Sequence, residues 1–141
     1  MPETSPKILV ADDDQEIRTI VRAKLAAMRC EVLIAKDGEE ALATALAESP
    51  DLILLDVMMP RLNGWEVIQH LRKKPEFGKT AIIMVTGIGE TANDATAPLF
   101  GADDHINKPF ELSELEFKVR RALSAKRRET RKKPEEEAAE G

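Results

Sequence analysis

Five short apolar runs recur along the chain, and stretches whose apolar residues repeat at helical spacing lie between and after them. The runs are Ile8-Leu9-Val10-Ala11, Val32-Leu33-Ile34-Ala35, Leu52-Ile53-Leu54-Leu55, Ala81-Ile82-Ile83-Met84-Val85 and the more polar His105-Ile106-Asn107. Unbroken apolar runs of this length predict strands covered on both faces, as in a parallel sheet, with the polar fifth run at an edge. The helical stripes are Ile17, Ile20, Val21, Leu25 and Met28, then Ala41, Leu42, Ala45 and Leu46. Val67, Ile68 and Leu71 form a third, and Leu112, Leu115, Val119 and Leu123 a last one. Strands joined by helix-sized connections require right-handed crossovers, which predicts an α/β, doubly wound (βα)5 fold.

Residues 88–101 should form the remaining helix, short or irregular, because Gly87 and Gly89 open it and Pro98 stands near its end. After Leu123 the periodicity stops. Residues 126–133 are mostly basic, and 134–141 are mostly glutamate and alanine. The predicted organisation is a lead over residues 1–6, one domain over 7–125 and a charged, disordered tail over 126–141.

Composition narrows the function classes. A chain of 141 residues with 43% hydrophobic and 33% charged residues can bury a real core. Its net charge of −5 argues against DNA or RNA binding by the domain as a whole. The single cysteine, Cys30, forms no internal disulfide, which suits a reducing compartment. The start of the chain does not read as a signal peptide, and no apolar run approaches the roughly 20 residues that span a bilayer. These features predict a cytoplasmic protein with no membrane contact. Cys30 reads as a small half-buried residue, His70 as surface, and Met58, Met59 and Met84 as loop and core residues. Trp65 is open between core contact and surface patch.

The candidate chemistry sits where the runs end. In an open parallel sheet, ligands bind at the carboxyl ends of the strands. The first run ends in Asp12-Asp13-Asp14, the third in Asp56, the fourth in Thr86 and the fifth in Lys108-Pro109. Asp12, Asp13 and Asp56 would gather three carboxylates, whose mutual repulsion a hard cation relieves. Mg²⁺, bound through oxygen ligands, is the expected cofactor. Lys108 adds a fixed positive charge and Thr86 a hydroxyl donor. Asp56, at the end of the central strand, is the expected nucleophile for a phosphoryl group, whose transfer depends on positioning and charge stabilisation.

The stretches Ile8-Leu9-Val10-Ala11-Asp12-Asp13-Asp14, Asp56-Val57-Met58-Met59-Pro60, Asn63-Gly64, Thr86-Gly87, Gly101-Ala102-Asp103-Asp104 and Lys108-Pro109-Phe110 carry a resemblance. From about Lys7 to Leu123 the chain resembles the response-regulator receiver domains of two-component signalling. The resemblance implies a flavodoxin-like sheet in the order 2-1-3-4-5. It implies Asp56 as phosphoacceptor, Asp13, Asp56 and the backbone carbonyl of Met58 as Mg²⁺ ligands, and Asp12 acting mostly through metal-bound water. Lys108 would pair with the phosphoryl group, and its bond to Pro109 would be cis. Asp14 falls outside this set and reads as a helix cap.

The resemblance further implies a switch in which the Thr86 hydroxyl moves inward and an aromatic ring on the last strand follows. His105 holds that place, where the family more often has tyrosine or phenylalanine, and its ring is expected to be partly exposed on the edge strand. The implied phosphodonor is a phosphohistidine on a sensor histidine kinase or histidine phosphotransfer protein. The implied output is a protein target on the face of the fourth helix, fifth strand and fifth helix, with homodimerisation on phosphorylation as a further option. Only about eighteen residues follow Leu123, too few for a helix-turn-helix unit, so for a chain complete as given, output is expected through protein contacts. The domain would catalyse its own phosphorylation and the hydrolysis of its acyl phosphate, and is not an enzyme in the turnover sense.

Three rival readings stand beside this one, the first a transcription factor fragment, since many members of that family carry a DNA-binding domain after the receiver. A receiver-like module could bind its partner constitutively, although Asp12, Asp13, Asp56, Thr86 and Lys108 argue for switching. A phosphatase of the haloacid-dehalogenase type would use the Asp12 and Asp14 pair, but Glu16 stands where threonine or valine is expected there, and Lys108-Pro109 has no place in that fold.

Overall fold

A computed structural model describes residues 5–87 and 101–125. The elements in chain order are β1 (Lys7–Ala11), α1 (Gln15–Ala27), β2 (Glu31–Ala35), α2 (Gly38–Glu48), β3 (Leu52–Asp56), α3 (Gly64–Arg72), a 3-10 turn (Pro75–Phe77), β4 (Ala81–Thr86) and β5 (Asp104–Asn107). A C-terminal helix follows over residues 112–125. The five strands are parallel and ordered β2-β1-β3-β4-β5, the flavodoxin-like arrangement that the resemblance implies. Residues 88–100 of the expected irregular helix, residues 1–4 of the lead and residues 126–141 lie outside the described residues.

Burial explains why the runs read as they do. Every residue of β3 and β4 is buried, so an inner strand has no face on which a polar residue could alternate. Leu9, Ala11, Ile53, Leu55, Ile82 and Met84 point to one side, into a cluster with Ala41 and Ala45 of α2 and Val67, Ile68 and Leu71 of α3. Ile8, Val10, Leu52, Leu54, Ile83, Val85 and Ile106 point to the other, against Val21 and Leu25 of α1 and Leu115 and Val119 of the C-terminal helix. Burial of such side chains contributes roughly 1.5–3 kcal/mol each before conformational entropy is set against it. Trp65 is half-buried against the first cluster, which settles its place.

The helices begin where side chains satisfy their first backbone donors. Asp14 caps α1, as expected, accepting from Glu16 N at 2.9 Å and from Ile17 N. Asp37 caps α2, and Asn63 with Glu66 forms a reciprocal capping box on α3. Three stripe residues differ from expectation: Ile20, Leu46 and Leu112 are exposed. The apolar stripes are wider than the strip of helix that the sheet can cover, so their outer members face solvent. Ile20 and Leu112 line an apolar groove of about 390 Å³ with Ile17, Pro109 and Phe110.

The start of α3 is pressed against the end of β3. Gly64 N donates to Val57 O at 2.8 Å, and a Cβ at Gly64 would lie 2.6 Å from Asp56 O and 2.9 Å from Val57 Cα. Backbone cannot swing aside as a side chain can. Gly64→Ala is therefore expected to destabilise the fold by about 2 kcal/mol, read as a lower denaturant midpoint, whereas an unchanged midpoint would show that the helix start gives way freely.

Candidate functional site

Parallel strands in register place their carboxyl ends on one rim, and the predicted residues arrive there from four strands. Asp56 is the last residue of β3 and Thr86 the last of β4, while Asp12 and Asp13 follow β1 and Lys108 follows β5. Asp12, Asp13 and Asp56 each offer a carboxylate oxygen, all within 4.8 Å of one another. Asp12 and Asp56 are almost fully buried, and Asp13 stands exposed at the mouth. Lys108 Nζ lies 3.0 Å from Asp12 Oδ2 and 3.5 Å from Asp56 Oδ2, bridging the two buried acids.

Local backbone geometry holds these groups. Asp14 N donates to Asp12 Oδ1 at 2.9 Å, and the Arg18 guanidinium donates to Asp12 O at 2.8 Å. Met58 N donates to Asp56 Oδ1 at 3.3 Å. Met58 itself is exposed, while Met59 is buried. The Lys108–Pro109 bond is cis, as the resemblance implies. Asp14 is engaged in capping α1 and stands outside the carboxylate cluster.

The electrostatics follow from burial. Removal from water raises the Asp56 carboxyl to about 7, helped by the charge of Asp12 and, less, Asp13, and opposed by Lys108 and the Met58 amide. Burial alone would lower the Lys108 ammonium. Its hydrogen bond to Asp12, the charges of Asp12 and Asp56 and its contact with Asp56 together hold it above its ordinary value. The donor set is hard oxygen on acidic residues, which fits a cation such as Mg²⁺.

Thr86 is fully buried, and its hydroxyl donates to Asn107 Oδ1 at 2.6 Å. His105 corrects the expectation of a partly exposed ring: it is 8% exposed. Its strand neighbour Ile106 faces the α1 side of the sheet, so alternation turns His105 to the opposite side, beside its register partner Met84. Asn107 was not among the residues predicted for the site. The available signal was its place immediately before Lys108, two residues after His105 and hence on the same face.

Comparison with known proteins agrees with the geometry. The family model described as "Response regulator receiver domain" matches residues 8–120. The chain belongs to that family. It is 46% identical over 117 residues to the probable transcriptional regulator ycf27 of Cyanophora paradoxa, covering 83% of this chain and 48% of that protein. It is 41% identical, with the same coverage of each, to the alkaline phosphatase synthesis transcriptional regulatory protein PhoP of Bacillus subtilis. The chain thus spans about half the length of the curated relatives it matches. Among solved structures, a CheY-like receiver domain protein from Methanospirillum hungatei superposes with a TM-score of 0.81 at 30% identity, over 89% of this chain and 98% of that one. The chain is therefore a receiver domain of two-component signalling. No helix among the described residues is long and apolar enough to cross a membrane.

The raised Asp56 carboxyl has a consequence for the metal-free receiver. Between about pH 4 and about pH 7 the folded chain keeps a proton that the unfolded chain has lost, so stability falls as pH rises through that window. Asp56→Asn removes this effect. Its gain in melting temperature over the wild type is expected to be largest near pH 8 and to shrink towards about pH 4. A gain independent of pH would contradict the assignment of the shift to Asp56.

Proposed function

We propose that Asp56 is the phosphoacceptor of a Mg²⁺-dependent switch charged by a phosphohistidine on a sensor histidine kinase or histidine phosphotransfer protein. The observation that carries this reading is the meeting of Asp12, Asp13 and Asp56 with the Lys108 ammonium around one buried carboxylate. In the transfer, an Asp56 carboxylate oxygen bonds to phosphorus as the donor's N–P bond breaks. The imidazole nitrogen leaves with the electron pair, and an acyl phosphate remains on Asp56.

The other residues have distinct tasks. Asp13, Asp56 and the Met58 carbonyl would hold the cation, with Asp12 acting mostly through water. Bound there, Mg²⁺ offsets the negative charge of the carboxylates and of the incoming phosphoryl oxygens. Lys108 is freed from Asp56 to pair with a phosphoryl oxygen, and the Thr86 hydroxyl donates to another. Hydrolysis of the acyl phosphate by water resets the switch. The domain acts on itself and is not a turnover enzyme.

His105 and Thr86 are the moving parts of the readout. His105 already lies inward, so its contribution is a repacking beside Met84 and not a swing from solvent. The output surface includes β5 and the C-terminal helix. There Asp104 pairs with Arg121 and Lys118, and Phe117 stands 60% exposed with the Arg121 guanidinium 5.3 Å from its ring centre. An exposed aromatic ring stacked by a cation is apt for protein contact, with a downstream target or with a second copy of the chain. The receiver unit spans residues 7–125, the segment over 126–141 is rich in charge, and the setting is the cytoplasm. The phosphatase alternative loses its second carboxylate, because Asp14 is committed to the cap of α1.

Incubation with acetyl phosphate and Mg²⁺ should add one phosphoryl group, mapped by mass spectrometry to Asp56. Asp56→Asn should abolish the label, and Lys108→Ala should slow its appearance by about tenfold or more. Label on Asp12, or none on the wild type, would overturn the proposal.

A further inference from the structure

We infer that Asn107 is a latch on the switch: it holds the Thr86 hydroxyl in the resting state and so sets how readily the domain enters its phosphorylated conformation. This rests on the reading of Thr86 as a donor to the phosphoryl group. Thr86 and Asn107 are register partners on the parallel strands β4 and β5. Their side chains share the face of Met84 and His105, since Val85 and Ile106 occupy the other. Thr86 Oγ1 lies 2.6 Å from Asn107 Oδ1, a short and well-formed hydrogen bond.

The chemistry makes the two states exclusive. A threonine hydroxyl carries a single proton and can donate it to one acceptor at a time. Donation to a phosphoryl oxygen on Asp56 therefore requires that the bond to Asn107 break. Thr86 is fully buried, so in the resting domain an alternative acceptor from bulk water is not at hand. Asn107 is exposed and recovers water when released. The strands stay joined meanwhile, because Lys108 N donates to Thr86 O independently of either side chain. The latch opens by one side-chain rotation without unzipping the sheet edge.

Asn107 is thus a positioning residue that acts through Thr86. Removing its acceptor raises the energy of the resting state alone, which shifts the population towards the phosphorylated conformation. The test is calorimetric titration with beryllofluoride, a phosphoryl mimic, in the presence of Mg²⁺. Asn107→Ala should bind about fivefold more tightly than the wild type, the worth of one hydrogen bond. Asn107→Asp, which keeps an acceptor in place, should show no such gain. In a Thr86→Ala background, Asn107→Ala should leave the affinity unchanged, because the hydroxyl it restrained is gone.

Equal or weaker binding by Asn107→Ala, tightening by Asn107→Asp, or an equal gain in the Thr86→Ala background would overturn the latch while leaving the phosphoacceptor reading intact. Failure of the wild type to bind beryllofluoride would instead overturn that reading and the latch with it.

Discussion

Three carboxylates crowded at one end of a sheet repel one another, and the architecture around them is organised to bear that cost. Asp12 and Asp56 are out of water, where like charges interact more strongly than at a surface. Lys108 sits between them as the protein's own counter-charge, and even so the Asp56 carboxyl is pushed up to about 7. Such a pocket is unfinished by itself. On the proposed reading it would gain from a divalent cation and, with that bound, from an added anionic group that would draw Lys108 across. The same repulsion that destabilises the pocket would make it receptive to a cation.

The parallel sheet makes this crowding possible. Because β1, β3, β4 and β5 all run the same way, four independent chain segments deliver their terminal residues to one rim. Two hydrophobic clusters clamp the sheet from both sides, so the strand ends cannot drift apart to relieve the charge. The capped start of α3, pressed onto the Asp56–Val57 backbone, adds a stop behind Asp56. Stability and function are therefore in tension at the rim and in agreement everywhere below it.

Much of this was readable from residues alone, for identifiable reasons. The runs of β3 and β4 stand out because inner strands tolerate no polar face, and their last residues, Asp56 and Thr86, mark the change from core to rim. The meeting of Asp12, Asp13, Asp56 and Lys108 followed once strand ends were taken as a common address. Burial of His105 was not readable, because a polar residue on an edge strand looks solvated until the covering side is known. Asn107 escaped notice for a related reason: its partner is twenty-one positions away and is found only through the β4–β5 register. The exposure of Ile20 and Leu112 depends on how much of each helix the sheet leaves uncovered, a property of packing and not of periodicity.

The central claim is that these strand ends form one cation-holding cleft, and diffraction can test it directly. Crystals grown with Mn²⁺ in place of Mg²⁺ should show one strong anomalous peak touching the Asp13 and Asp56 carboxylates and the Met58 carbonyl oxygen, at the roughly 2 Å spacing of a hard cation to oxygen. An anomalous map with no peak in that cleft, or with its only peak at a site away from Asp56, would contradict the account.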